Sequence, residues 1–205
     1  MSQKEEINNN IWEIWKISLN AKRFLKYSFY LHKPDTNEEF EYLKKSRDFK
    51  FIADALWRNC VIELSKLFYD SKKRDKFNIF HFIKKLEKDV HFRNFKISKT
   101  KIDFWYNQIE ENRKTIDLIT ELRDKVYAHT DGPIERIGLD TPTFEQTEKL
   151  IDIIESVITE IYSSVFDSHA MMNSPNLELN PSKIIKILAA EKKARISDME
   201  ELLKK

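Results

Sequence analysis

The chain has 205 residues, of which 41% are hydrophobic and 34% are charged, proportions that suit one domain with its own apolar core. Its formal net charge of +2 at pH 7 excludes a protein that binds nucleic acid over its whole surface, so any nucleic-acid contact is expected to be local. With only 2 Gly and 5 Pro, the chain lacks the residues that sandwiches and barrels need for tight turns, and we predict an all-α protein.

Cysteine content and terminal composition indicate the compartment. The single cysteine, Cys60, lies in an apolar run and is expected to be a buried thiol in a reducing environment. The first ten residues, MSQKEEINNN, contain no basic segment leading into an apolar one, and no apolar run approaches membrane-spanning length. We therefore expect a cytoplasmic protein without membrane contact.

The first half of the chain predicts three helices. Apolar residues from Ile7 to Phe29 recur with the three-and-four spacing of an amphipathic helix. Thr36 and Glu39 form a possible capping box, after which the apolar face continues to about Tyr69, so the second helix is predicted to be long. Asn78 can cap a shorter third helix.

The second half predicts two further long helices and a terminal one. From Asp103 to Val126 the apolar spacing describes a fourth helix, which Gly132-Pro133 must end. Thr143 and Gln146 form a capping pair at the start of the next helix, which carries a strong apolar stripe. Pro181 then opens a last helical region.

These elements predict an up-and-down helical bundle of four to five main helices. The bundle is expected to occupy residues 1–172, and residues 173–205 are expected to form a C-terminal helical extension. Three roles are open for the extension: it can wrap around a partner chain, dock another protein or cap the core of its own chain.

Short motifs for metal or nucleotide binding are missing. The five histidines stand at 32, 81, 91, 129 and 169, and none pairs with another at the i,i+4 spacing of metal ligands. The 2 glycines cannot build a Gly-rich phosphate loop. We predict no metal site and no cofactor.

One pattern stands out at the end of the fourth helix: Arg123 is followed by five residues and then by His129. Such a pattern arises about once by chance in a chain of this length, and Arg74 and His81 supply a second match. Arg74 lies in a polar linker and His81 in the first turns of a helix, where a cation is disfavoured. Asp131, by contrast, can orient the imidazole of His129. The alternative is that both cations merely suit a helix end.

An arginine and a histidine can act together on a phosphate group only if both side chains face it, and helix geometry decides whether they do. At about 100° per residue, six residues turn through ~240°, so Arg123 and His129 would lie on different faces of a regular helix. Either the last turn unwinds before His129, or two chains meet so that both motifs border one cleft, as a two-fold interface arranges. Both can hold together.

An all-α bundle with R-x(4–6)-H, a polar residue directly after the Arg and the His at a helix end resembles the HEPN superfamily of nucleotide-binding and RNA-cleaving domains. The string RDKVYAHTD at 123–131 and the segment WRNCVIELSKLFYD at 57–70 look like its AbiU-type abortive-infection branch. The similarity covers roughly residues 5 to 165. It implies a metal-independent endoribonuclease acting as a homodimer, often in anti-phage defence or toxin–antitoxin modules.

The resemblance also implies roles for individual residues. Arg123 would bind the phosphate and stabilise the transition state, His129 would be the general acid or base, and Asp124 would position the Arg. Tyr127 and Asp131 are supporting candidates, and Asp131 occupies the position at which some members carry a Tyr that a nucleotidyltransferase modifies. The candidate substrate-binding cations are Lys125, Lys72, Lys73 and Arg74. For the linker cations, a merely solvated basic loop is the alternative.

The chemistry implied is coherent. RNA carries its own nucleophile, the 2′-hydroxyl, so cleavage needs a proton acceptor, a proton donor and a cation for the phosphorane, and gives 2′,3′-cyclic phosphate ends. The expected partners are an RNA substrate and a second copy of the chain, and an antitoxin protein that would dock on the C-terminal extension is a further candidate. Two other functions are open: a catalytically silent HEPN-like module that binds RNA, a nucleotide or a protein, and an immunity or scaffold protein that assembles through its tail.

Overall fold

A computed structural model describes residues 2–69, 77–87, 92, 95, 97–128, 140–172 and 180–204. Throughout these ranges the chain forms helices and no strands, so the predicted all-α class is confirmed. The α-helices are α1 (Gln3–His32), α2 (Asn37–Leu43), α3 (Arg47–Phe68), α4 (Ile79–Leu86), α5 (Lys99–Glu111), α6 (Arg113–Leu122), α7 (Phe144–Phe166) and α8 (Pro181–Leu203). A π-helical segment, Arg123–Ala128, continues α6 directly.

Helix α1 is the centre of the bundle and packs against both α3 and α7. Ser2 begins it with a capping box, in which the Ser2 hydroxyl accepts from the backbone N–H of Glu5. Its stripe of Ile7, Ile11 and Ile14 is fully buried. The predicted first helix is therefore confirmed.

The long second helix predicted to reach Tyr69 is wrong, because the chain leaves the helix after Leu43. The Ser46 hydroxyl accepts a hydrogen bond from the backbone N–H of Phe49 at 3.4 Å and starts α3 anew. Because the apolar spacing runs through the break, periodicity alone did not reveal it. The predicted Thr36 capping box is present.

The predicted helix over 103–126 is also divided. Asn112 ends α5, and its side-chain amide donates to the backbone oxygen of Gln108 at 2.8 Å, so it competes with the helical ladder. Helix α6 then runs only ten residues before the backbone widens to π geometry at Arg123. This widening lies within the sequence motif that drew attention to the segment.

Cys60 is fully buried on α3, as expected. Burial, with a smaller contribution from Glu63, raises the pKa of its thiol from 9.0 to about 12. The thiol is therefore a neutral packing group at physiological pH.

Helix α7 begins as predicted, with a capping box between Thr143 and Gln146. Helix α8 has two different halves. Ile185 is buried against Tyr30 and Leu43, whereas Leu203 near the other end is 87% exposed. Among the described helices, none is long and apolar enough to span a membrane.

Candidate active site

Arg123 opens the π-helical segment at the junction with α6. Ile119 and Leu122, the apolar residues just before it, are fully buried in the core. Helix α6 and the π-helical segment both pack against α3. The buried residues thus fix where the chain emerges, and they place the side chain of Arg123 over the surface of α3.

The guanidinium of Arg123 is held on three sides. Its Nη1 donates to Oδ1 of Asp124 at 2.6 Å, and its Nε donates to the Ser65 hydroxyl at 3.4 Å. Its Cζ lies 4.5 Å from the centroid of the Tyr69 ring, which is cation–π geometry. The side chain remains 28% exposed. Within the described part of the chain, these hydrogen bonds use two of the five guanidinium donors.

The Ser65 hydroxyl is oriented to accept. It donates its own proton to the backbone oxygen of Ile62 at 2.8 Å, which leaves its lone pairs for Arg123. Ser65 itself is almost completely buried. The contact with Arg123 is long, but it lies where water has little access.

A second Arg–Tyr contact joins the same part of the fold, and here the arginine lies on α3 and the tyrosine on the π-helical segment. Arg58 of α3 donates from Nη2 to the backbone oxygen of Tyr127 at 2.7 Å, and its Cζ lies 5.6 Å from the centroid of the Tyr127 ring. Helix α3 thus contributes the arginine to one pair, and its C-cap residue contributes the tyrosine to the other. The two pairs attach both ends of the π-helical segment to α3.

Tyr127 is unsuited to act as a general base. Burial raises the pKa of its hydroxyl above the ordinary value of 10.0, and the nearby Arg58 and a hydrogen bond from Trp57 only reduce this rise. The hydroxyl therefore stays protonated at neutral pH. Trp57 in turn packs edge-on against Phe144, with ring centroids 5.0 Å apart. One aromatic residue of α3 thereby touches the elements on both sides of residues 129–139.

The structure brings together Arg123 and Asp124, the first two residues of the motif, as an ion pair. It places Lys125 at the surface, paired with Glu121 one turn earlier. His81, from the rival match, lies on α4. The remaining candidates fall outside the described residues: His129, Asp131, Lys72, Lys73 and Arg74.

The sequence motif assigned no role to Arg58 and Ser65 of α3 or to Tyr69, its C-cap residue. We call these three residues the α3 site face. All three belong to the segment that carries the family resemblance. They are spaced by seven and then four residues, the spacing of one helix face. That spacing was readable from the sequence, but nothing in it indicated that this face meets Arg123.

Other features of the described residues lie away from this site. The groove between α5 and α7, of about 480 Å³, is lined by residues such as Phe104, Gln108 and Lys149 and by none of the motif. Within the described ranges, no group of three His, Cys, Asp or Glu side chains is placed to hold a metal ion. The contacts of Arg123 therefore remain the best-defined polar arrangement associated with a sequence motif.

Comparison with known proteins gives one result at the family level. No curated protein and no solved structure matches the chain. The model of the HEPN family described as AbiU2 matches residues 5–179, a span that includes all but the first two residues of α1, the whole of α2 to α7 and the candidate site. Since this match covers most of the 205 residues, the chain belongs to the AbiU2 family of HEPN proteins.

Proposed function

We propose that the protein is a metal-independent endoribonuclease of the HEPN type that acts as a homodimer, as a toxin or abortive-infection effector. The observation that carries the proposal is the guanidinium of Arg123: Asp124, Ser65 and Tyr69 fix its direction, and among the described residues three of its five N–H donors take no hydrogen bond. A preorganised cation of this kind stabilises charge that develops in a transition state. Family membership supports the same reading.

The proposed reaction is a transesterification within the RNA. His129, acting as general base, takes the proton from the 2′-hydroxyl, and the 2′-oxygen attacks the adjacent phosphorus. Arg123 stabilises the negative charge of the phosphorane, and a second acid protonates the departing 5′-oxygen. The bond broken is the P–O5′ bond, and the products carry a 2′,3′-cyclic phosphate and a 5′-hydroxyl. In a homodimer, the second His129 can supply the acid.

The experiment is a cleavage assay of the purified protein on total RNA in EDTA, comparing wild type with Arg123→Ala and His129→Ala. His81→Ala is the matched control, because it removes the histidine of the rival Arg–His match. Wild type and His81→Ala are expected to cleave, with cyclic-phosphate ends, while the two motif variants lose at least about 100-fold in rate. Equal cleavage by wild type and both motif variants would reject the assignment.

The homodimer is tested separately. Light scattering gives the mass in solution, and serial dilution shows whether the rate per chain falls as the dimer dissociates. A composite site predicts that cleavage and the dimer disappear together. Absence of cleavage from a folded dimer would instead favour the catalytically silent binding module.

A further inference from the structure

Two of the three residues that hold Arg123 lie far from it in sequence, one on α3 and the other at the C-cap of α3. Ser65 and Tyr69 precede it by more than fifty positions, yet one accepts from its Nε and the other lies under its guanidinium plane. A long side chain such as Arg ordinarily samples many rotamers on a surface, and ordering it costs free energy. Contacts on two sides reduce the number of directions in which the guanidinium can point.

Tyr69 is itself well anchored. Its backbone N–H donates to the backbone oxygen of Ser65 at 2.9 Å, and this hydrogen bond closes the last turn of α3. Its backbone oxygen accepts from the side-chain amide of Asn78, which also caps the N-terminus of α4 and is fully buried. Both backbone hydrogen-bonding groups of Tyr69 are therefore paired, and the position of its aromatic ring is fixed accordingly.

The π-helical segment is also kept in register with α3. The hydrogen bond from Arg58 to the Tyr127 oxygen lies near the opposite end of the segment from Arg123. A slip of the segment along α3 would break this bond and move Arg123 off the ring. The reciprocal Arg–Tyr pairs therefore define one position for the segment.

We propose that Tyr69 and Ser65 are positioning residues that aim at the phosphate of a bound RNA those guanidinium donors of Arg123 that the described residues leave unused. The inference rests on the proposed ribonuclease function. Both residues act through Arg123: the ring of Tyr69 supports the guanidinium plane, and the hydroxyl of Ser65 fixes rotation about its Nε. The hydroxyl of Tyr69 is not required, because the contact with Arg123 is made by the ring.

The test is a double-mutant cycle on RNA cleavage, with Tyr69→Leu, Arg123→Ala and the double variant. Tyr69→Leu keeps an apolar side chain but removes the ring, and we expect kcat/KM to fall about 5- to 30-fold, mainly through kcat. Tyr69→Phe keeps the ring and is the matched control, expected within about twofold of wild type. In the Arg123→Ala background, Tyr69→Leu is expected to cause no further loss.

A second readout does not depend on cleavage. The NMR signal of the Arg123 Nε–H is expected to carry a ring-current shift that Tyr69→Phe retains and Tyr69→Leu abolishes. Ser65→Ala provides a variant that leaves α3 a good helix former, and its kcat/KM is expected to fall about 2- to 10-fold. Thermal unfolding checks that each variant is folded.

The outcomes separate the two proposals. If Arg123→Ala cleaves like wild type, the ribonuclease assignment fails and the positioning inference falls with it. If Arg123→Ala is inactive while Tyr69→Leu and Ser65→Ala both cleave like wild type, only the positioning inference is overturned. Equal losses from Tyr69→Leu with and without Arg123 would also overturn it, because a merely structural role lowers both rates alike.

Discussion

Replacing Arg123 by lysine keeps the charge and removes the geometry. The guanidinium donates to Asp124 and to Ser65 while its Cζ lies 4.5 Å from the centroid of the Tyr69 ring. An ammonium group has no planar fork and cannot make these three contacts together. If the ammonium pairs with Asp124, its remaining N–H donors have no fixed direction towards the phosphate.

The size of the effect follows from what is lost. Removing one preorganised donor to a transition-state oxyanion costs roughly 2.7–4 kcal/mol, so Arg123→Lys is expected to lower kcat about 100- to 1,000-fold. The change in folding stability is expected to stay below about 1 kcal/mol, because the Arg123–Asp124 pair is partly exposed to solvent. Activity and stability should therefore separate.

The assay is single-turnover cleavage of a short unstructured RNA by excess protein in EDTA, with urea unfolding measured in parallel. Lys16→Arg is the matched control, since it makes the reverse exchange in a surface pair with Glu13 on α1, outside the sequence motif. It is expected to cleave at the wild-type rate. Cleavage by Arg123→Lys within about threefold of wild type would refute the reasoning that guanidinium geometry matters.

Four further predictions concern stability and local order. Burial raises the folded-state pKa of Cys60 above its ordinary 9.0 to about 12, so the stability that it contributes is complete below pH 9 and is lost as the pH rises towards 12. Urea unfolding at pH 8 and pH 10 should show wild type losing about 1 kcal/mol more than Cys60→Ala, and equal losses would contradict the raised pKa. On α8, unfolding of Ile185→Ala should be easier by about 2–5 kcal/mol and that of Ile196→Ala by less than about 0.5 kcal/mol, because only the first is buried; similar costs would count against this placement of the helix. Loss of the α7 cap in Thr143→Ala should cost about 1 kcal/mol by the same measurement. Arg58→Ala should speed amide hydrogen exchange in the π-helical segment, and unchanged exchange would show that this contact does not hold it.

The sequence was most informative where local chemistry decides the structure. The capping boxes at Thr36 and Thr143 each pair a hydroxyl with a side chain three residues later, and both are present. Pro181 likewise opens the last helix as expected. Such signals depend on neighbours along the chain, so they need no knowledge of the tertiary fold.

Helix interruptions were missed because the apolar spacing continues through them. At Ser46 a capping residue interrupts a face that remains apolar on both sides. At Asn112 a side-chain amide takes a backbone oxygen from the helix. The π geometry from Arg123 onward has no signal in composition at all. Contacts with α3, including the bond that Arg58 donates, accompany it and depend on the packed fold.

For the candidate site, the motif identified Arg123 and Asp124, which the structure pairs. It did not identify their partners on α3, because a short motif describes one strip of sequence and a positioned side chain needs a second element. Ser65 and Tyr69 became recognisable only when the packing of α3 against α6 was known. The sequence therefore indicated the residues of the proposed chemistry, whereas the residues that hold Arg123 in place were found only from the fold.

Helix α3 uses one face to pack in the core and another to contact the π-helical segment. Leu64 and Leu67 are fully buried in the core, so truncating them removes packing and lowers stability. The α3 site face instead contacts polar and charged groups of the π-helical segment, including Arg123. Ser65 is the informative case, because it is as buried as the core residues. Its hydroxyl nevertheless donates to the backbone oxygen of Ile62 and accepts from Nε of Arg123. An alanine there would favour the helix at least as well, so helix propensity does not account for the hydroxyl, whereas the proposed positioning of the guanidinium would account for it.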